Sequence, residues 1–276
     1  MPLSKFSLLL AGLFAAATAQ AQVDKLLGGA TTASTLSSRY AIVTGNPVNI
    51  SVVGDPAGSA KQVLRVDAKT TDTLVSGLSN NYVAPLGENT ATGLRWYGLS
   101  VYLPTGWVKT DPNPVNLLTI STSTASGLPP PFAVVARGDN LELSLTSNYL
   151  ATGSATAANS SNEVTRLGKI TTGKWYCFVL RAEWYQALGS GKLTLWMNAD
   201  KIYDSAQALN NYGTAFGNVP RAGLMYPGST GGLNRTAYVD FVRLGGPTSY
   251  AEQMFAETPC AVEAAATFTA AKAAVK

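Results

Sequence analysis

Trp175-Tyr176-Cys177-Phe178-Val179-Leu180-Arg181-Ala182-Glu183-Trp184 is the run of residues on which the fold turns. Side chains of an extended strand point alternately to opposite faces, so Tyr176, Phe178, Leu180, Ala182 and Trp184 share one wholly apolar face. The other face carries Trp175, Cys177 and Val179 and then becomes polar at Arg181 and Glu183. A long strand of this kind fits a sandwich, with the apolar face in the core and the other face outward or lining a concavity. The next strand repeats the pattern: Leu193, Leu195 and Met197 face one way, and Lys192, Thr194, Trp196 and Asn198 the other.

Further strand-like runs occupy 49–53, 62–68, 96–103, 116–121, 132–136, 141–145 and 237–244, mostly bounded by Gly, Pro, Asn or Asp. That pattern predicts an all-β antiparallel sandwich. No internal repeat of propeller or solenoid length stands out. Hydrophobic residues make up 46% of the chain, enough to bury a sizeable core and to exclude disorder, while charged residues are only 13%, as in exported β proteins.

The two ends read differently. Lys5 precedes an apolar run from Leu8 to Ala17 and then Ala19-Gln20-Ala21, which predicts a signal peptide over 1–21 cleaved before Gln22. The run is too short for a membrane-spanning helix, and no later segment is apolar enough to anchor the chain. One domain is expected over 22–247, followed by a helical or Ala-rich tail over 248–276. Ser249-Tyr250-Ala251-Glu252 has capping-box spacing, and the Ala-rich stretch after Pro259 has high helix propensity. A secreted or periplasmic monomer is the expectation.

Lys5 is the only charged residue of the leader, so cleavage takes the formal net charge from +4 to +3. A mildly basic protein can take an acidic glycan as partner, but the basic residues form no run, and a nucleic-acid partner is not expected. Cys177 and Cys260 enter an oxidising compartment on export. They either pair, fastening the tail to the domain, or stay as a small apolar strand residue and a free thiol. With no histidine and two cysteines, a zinc or other soft-metal cofactor is not expected, and calcium use is not legible.

Several blocks, in order, resemble the secreted polysaccharide lyases of the heparin lyase I and glucuronan lyase type. They are Gly54-Asp55-Pro56-Ala57-Gly58, Val63-Leu64-Arg65-Val66, Trp96 to Pro104, Gly173-Lys174-Trp175-Tyr176, Leu195-Trp196-Met197-Asn198, Arg221 to Tyr226, and Arg235 to Gly245. The resemblance implies a concanavalin A-like jelly roll whose concave face holds an acidic, uronate-containing polysaccharide. It also implies β-elimination: a cation or amide neutralises the uronate carboxylate, a base takes the C5 proton, and an acid protonates the departing oxygen. His and Tyr commonly supply the last two roles, and this chain departs there. Leu117-Leu118-Thr119-Ile120-Ser121 stands where a Gln-Trp-His-like element is usual, and Tyr82-Val83-Ala84 where an Arg-x-Glu element is usual. In the Lys-x-Gly-x-Tyr-like block Arg221 takes the Lys position and Met225 the Tyr position, with Tyr226 one residue late.

Tyr226 is therefore the candidate acid/base, with Arg221 to lower a phenol pKa of about 10 and to hold a carboxylate in its planar fork. In a regular strand the two point to opposite faces, and only a bulge, at Gly223, joins them in one groove. The plainer readings are a packed aromatic and a solvated edge charge. Arg137 is a candidate groove residue; Gly138-Asp139-Asn140 after it reads as a hairpin turn, and Arg-Gly-Asp as an adhesion signal is a chance match. Trp196 is a candidate sugar-stacking platform, whereas Trp184 falls on the core face. The competing functions are a lyase-like protein acting on acidic polysaccharide, a non-catalytic lectin-like module, and a structural surface protein.

Overall fold

The computed structural model describes residues 23–25, 36–111, 113–122, 128–148, 155–185, 190–205, 210–212, 217–226, 233–240 and 242–274. The expected signal peptide lies outside them. Among the described residues sixteen strands run in chain order as β1 (Val23–Lys25), β2 (Tyr40–Val43), β3 (Ile50–Gly54), β4 (Gln62–Ala68), β5 (Asn80–Pro85), β6 (Gly93–Leu103), β7 (Val115–Thr122) and β8 (Phe132–Arg137). They continue as β9 (Asn140–Ser147), β10 (Ser161–Lys169), β11 (Lys174–Trp184), β12 (Lys192–Met197), β13 (Asp200–Asp204), β14 (Asn218–Met225), β15 (Arg235–Val239) and β16 (Arg243–Gly245). Helices α1 (Ala251–Phe255) and α2 (Ala261–Ala274) follow.

Two antiparallel sheets result, in the arrangement of a jelly roll. One has the order β13-β12-β11-β6-β15-β4-β3, with β16 joining β1 to β6; the other has the order β10-β9-β8-β7-β14-β5-β2. The stretch quoted first is β11, paired along its full length with β6 and over Phe178–Glu183 with β12. Its face of Tyr176, Phe178, Leu180, Ala182 and Trp184 lies in the core between the sheets, as the alternation requires. The Trp184 indole donates from Nε1 to Tyr97 Oη at 3.0 Å, so its one polar atom is satisfied inside the apolar layer.

The other face of β11 is also covered. Trp175, Cys177 and Val179 form a second apolar cluster with Trp96, Tyr102, Met254, Phe255, Cys260 and Ala264, in which α1 and α2 act as a lid on the outside of the nine-stranded sheet. Cys177 and Cys260 are joined by a disulfide, their Cα atoms 6.1 Å apart, which ties the lid to the middle of β11. The Ser249 capping box does not form: the N-cap is Tyr250, without a side-chain cap, and Ser249 Oγ is buried with no hydrogen-bond partner among the described residues.

The run expected as one strand over 237–244 is two. β15 pairs with β4 and β6, the chain steps aside at Asp240, and β16 resumes the pairing on β6. Arg243 closes the step with an ion pair to Asp240 at 2.9 Å. A second buried pair, Arg235 Nη2 to Asp111 at 3.0 Å, has side chains only 2% and 3% exposed. Arg235 also donates to the Val108 carbonyl at 2.8 Å and lies 4.6 Å over the Trp107 ring, so one guanidinium pins the 104–111 segment to β15.

Candidate functional site

The seven-stranded sheet turns Leu118 and Ile120 of β7, Phe132, Val134 and Ala136 of β8, Ala222 and Leu224 of β14 and Val83 of β5 into the core. Their neighbours one residue along face away from the sandwich, because side chains alternate. These include Thr119 and Ser121 of β7, Arg221 and Met225 of β14 and Tyr82 of β5. The lateral order β7-β14-β5 brings them into one patch.

Arg221 stands opposite Thr119 in register, and its guanidinium carbon lies 5.0 Å from the centroid of the Tyr82 ring. One amino group donates to the Thr122 carbonyl at 3.4 Å. The Thr119 and Ser121 hydroxyls are 2.9 Å apart, and Thr119 Oγ1 donates to Met225 Sδ at 3.8 Å. Tyr82, Ala84 and Met225, flanked by Val43 and Val219, give this face a small apolar floor of its own. Thr119, Ser121, Tyr82 and Met225 are themselves buried around the half-buried Arg221, so the group on this face that can reach a ligand is the guanidinium, which can take a carboxylate in two parallel hydrogen bonds.

Gly223 is what lets β14 and β5 come together here. The β14 register slips against β7 between Ala222 and Met225, and Gly223 sits in that bulge with φ +152. A Cβ at this position would stand 2.2 Å from the Asn81 carbonyl oxygen and 2.7 Å from the Tyr82 Cα. Only glycine permits that approach.

Arg221 thus lies in the patch, but Tyr226 does not join it. The bulge forms at the expected place, yet alternation resumes beyond it, so Leu224 and Tyr226 face the core and Met225 faces out with Arg221. Tyr226 is 2% exposed. Burial pushes its phenol up to about 12, with Arg235 lowering it and Asp111 raising it to lesser degrees. Tyr226 therefore faces the core, apart from Arg221, rather than sharing a groove with it as the acid/base expectation required.

Arg137 lies on the Arg221 side of the sheet, at the end of β8, where it is about half exposed and pairs with Glu142 at 3.0 Å. The turn after it, with Gly138 at φ 57, is the expected hairpin. Ala133, four residues before Arg137 on β8, stands opposite Thr119, so the two levels lie about 13 Å apart at roughly 3.3 Å per residue, a span for more than a single sugar. Trp196 is on the far side of the molecule, on the outer face of the nine-stranded sheet. It stacks on Trp96 with centroids 5.6 Å apart and rings 20° from parallel. It lies on the non-core face of its strand, as the alternation predicts, and on the opposite side of the sandwich from Arg221. Sequence reasoning assigned no role to Tyr82, Thr119 or Ser121, although all three fall in the segments that depart from the lyase pattern; the missing information was the β14–β5 pairing. No group of three or more His, Cys, Asp or Glu side chains that could hold a metal occurs among the described residues.

Two antiparallel sheets in this order, with a cation against an aromatic ring on one outer face, have the form of a jelly-roll polysaccharide-acting protein. The chain belongs to the polysaccharide lyase family, whose family model, described as Polysaccharide lyase, matches residues 27–243. Solved structures agree on the fold. An endo-β-1,4-glucuronan lyase from the fungus Trichoderma reesei is similar at 16% identity and a TM-score of 0.60, over 74% of this chain and 90% of that one. The family 7 alginate lyase A1-II′ in complex with product is similar at 13% identity and a TM-score of 0.53, over 76% of this chain and 96% of that one. No curated protein matches the chain.

Proposed function

We propose that this protein binds an acidic, uronate-containing polysaccharide along the outer face of the seven-stranded sheet, with Arg221 on a carboxylate, and that it retains the chain without cleaving it. The observation that carries the reading is the pairing of faces on β14. Its cation and apolar floor point outward with Thr119 and Ser121, while its phenol, Tyr226, points into the core. Recognition needs only the first set. β-Elimination needs a proton acceptor and donor beside the bound carboxylate as well. The glucuronan and alginate lyases of like fold act on uronate chains by name, and the mild positive charge suits such a ligand.

A second reading rests on Tyr82, whose ring lies against Arg221 on the same face. Tyr82 is the phenol beside the proposed carboxylate site, so it is the group that would move a proton if the protein is a lyase. We propose export as well: the leader and the disulfide both suit an oxidising compartment, and no described helix is long and apolar enough to cross a membrane.

The test is a screen of purified protein against glucuronan, alginate and heparin, recording retardation in affinity gels and the ultraviolet absorbance of unsaturated products together. Retardation without product is the expected result. Product formation that disappears in Tyr82→Phe establishes the lyase reading, and neither signal with any uronate chain rejects both.

A further inference from the structure

A depression of about 430 Å³ opens on the opposite side of the sandwich from Arg221, at the end of β4 and β15 where the 104–108 turn folds over the nine-stranded sheet. Arg65, Lys69, Trp107, Asn234, Thr236 and Tyr238 are among the residues that line it. Its size falls within the range of small-ligand sites. The Tyr238 ring is braced from behind by Tyr102 at 5.8 Å, which packs in turn on Trp175 at 5.6 Å, so the aromatic wall is fixed in place before any ligand arrives.

The charge balance indicates what the depression takes. Asp67, its exposed-side carboxylate, is already engaged by Arg65 Nε at 3.0 Å and by the Thr236 hydroxyl at 2.5 Å. Arg235, at the floor, is neutralised by Asp111. Lys69 is exposed, and its ammonium meets no carboxylate among the described residues. Asn234 accepts the Thr70 amide through Oδ1, which leaves its amino group as a donor. The lining therefore has one cation in excess, a fixed aromatic ring and spare donors, the combination that holds an anionic sugar by its carboxylate, its ring face and its hydroxyls.

We infer that this depression is a second binding site for an acidic oligosaccharide segment. Because it lies on the outer side of one sheet and Arg221 on the outer side of the other, one molecule holds two polysaccharide strands at once and cross-bridges them. The ligand class, though not the site, rests on the function proposed above.

Retardation in alginate and glucuronan gels tests this for the wild type, Arg65→Ser/Lys69→Ser, Arg221→Ala and the triple variant, with a neutral glucan gel as control and thermal unfolding to verify folding. Both Arg65 and Lys69 are surface residues, so the double variant is expected to unfold as the wild type does. Each of the two partial variants should keep some retardation and lose about tenfold or more in affinity, and the triple variant should run freely. Wild-type protein should also raise the turbidity of alginate solutions, and both partial variants should not. A double variant retarded like the wild type, or an Arg221→Ala variant with no retardation left, overturns the second site while leaving the first standing. Wild-type protein that ignores both acidic gels overturns the ligand class for both sites.

Discussion

Arg221 and Tyr226 are five residues apart in one strand segment and have opposite fates. Arg221→Ala should weaken retention on uronate gels by about tenfold or more, since a hydrogen-bonded charge contributes about 1.5–3 kcal/mol. Tyr82→Ala, which removes the ring under the guanidinium, should cost about 0.5–2 kcal/mol of the same binding, whereas Tyr226→Phe should leave retention at the wild-type value. If Tyr226→Phe abolishes retention or turnover instead, the core placement of that side chain is wrong. Asp111 is a different kind of residue, buried and paired rather than exposed and waiting. Burial raises its pKa, but the Asn113 amide and Arg235 outweigh burial and hold the carboxyl below its usual range. Asp111→Ala should therefore destabilise the fold by about 3–5 kcal/mol, measured by urea unfolding, because it leaves the Arg235 charge buried and unpaired. The sign with pH follows from the lowered pKa: the stabilisation is complete above the unfolded carboxyl pKa of about 3.9 and is lost as pH falls through the lower folded value. Acid unfolding should accordingly shift to higher pH in weakened variants of the pair.

Strands β14 and β15 show how little a strand's own composition says about its irregularities. Gly223 occupies a bulge where a side chain would collide with the backbone of β5, so Gly223→Ala should destabilise the protein by about 1–3 kcal/mol and also loosen the Arg221–Tyr82 stack, lowering gel retention together with the urea midpoint. A loss of stability with retention unchanged would separate the bulge from the site. In β15 and β16 the apolar alternation looks continuous in the sequence, yet the strand breaks at Asp240, because β6 can be paired on that edge by two short segments whose mismatch the Asp240–Arg243 pair absorbs. The helices α1 and α2 owe their position to burial rather than to capping. Phe255 packs on Phe268 between them, 5.9 Å apart, and Met254 on the outer sheet face. Propensity announced helices in this region; it did not announce what they cover.

For the molecule as a whole, the disulfide and the helical lid decide how the outer face of the nine-stranded sheet meets water. Cys260→Ser should lower stability by about 2–4 kcal/mol and, by releasing the lid from β11, should increase dye binding to the exposed Trp96, Cys177 and Val179 surface. Gel retention through Arg221 should be unchanged, since that residue is on the other sheet. Much of the architecture was legible beforehand. The two-residue period of Tyr176 to Trp184 is a property of a single strand, so it fixed the strand, its core face and the sandwich class without any partner being known. The order of the lyase-like blocks carried the family for the same reason, since each block is contiguous in the chain. The functional face was not legible, because a period of two says that Arg221 and Met225 share a side but not which side of which sheet faces a ligand. Tyr82 reaches Arg221 only through the pairing of β5 with β14, and Cys177 is covered because the segment after β16 returns to it through Cys260. Both are contacts between segments distant in sequence, chosen by how two sheets and a tail close over one core, and no local pattern contains that choice.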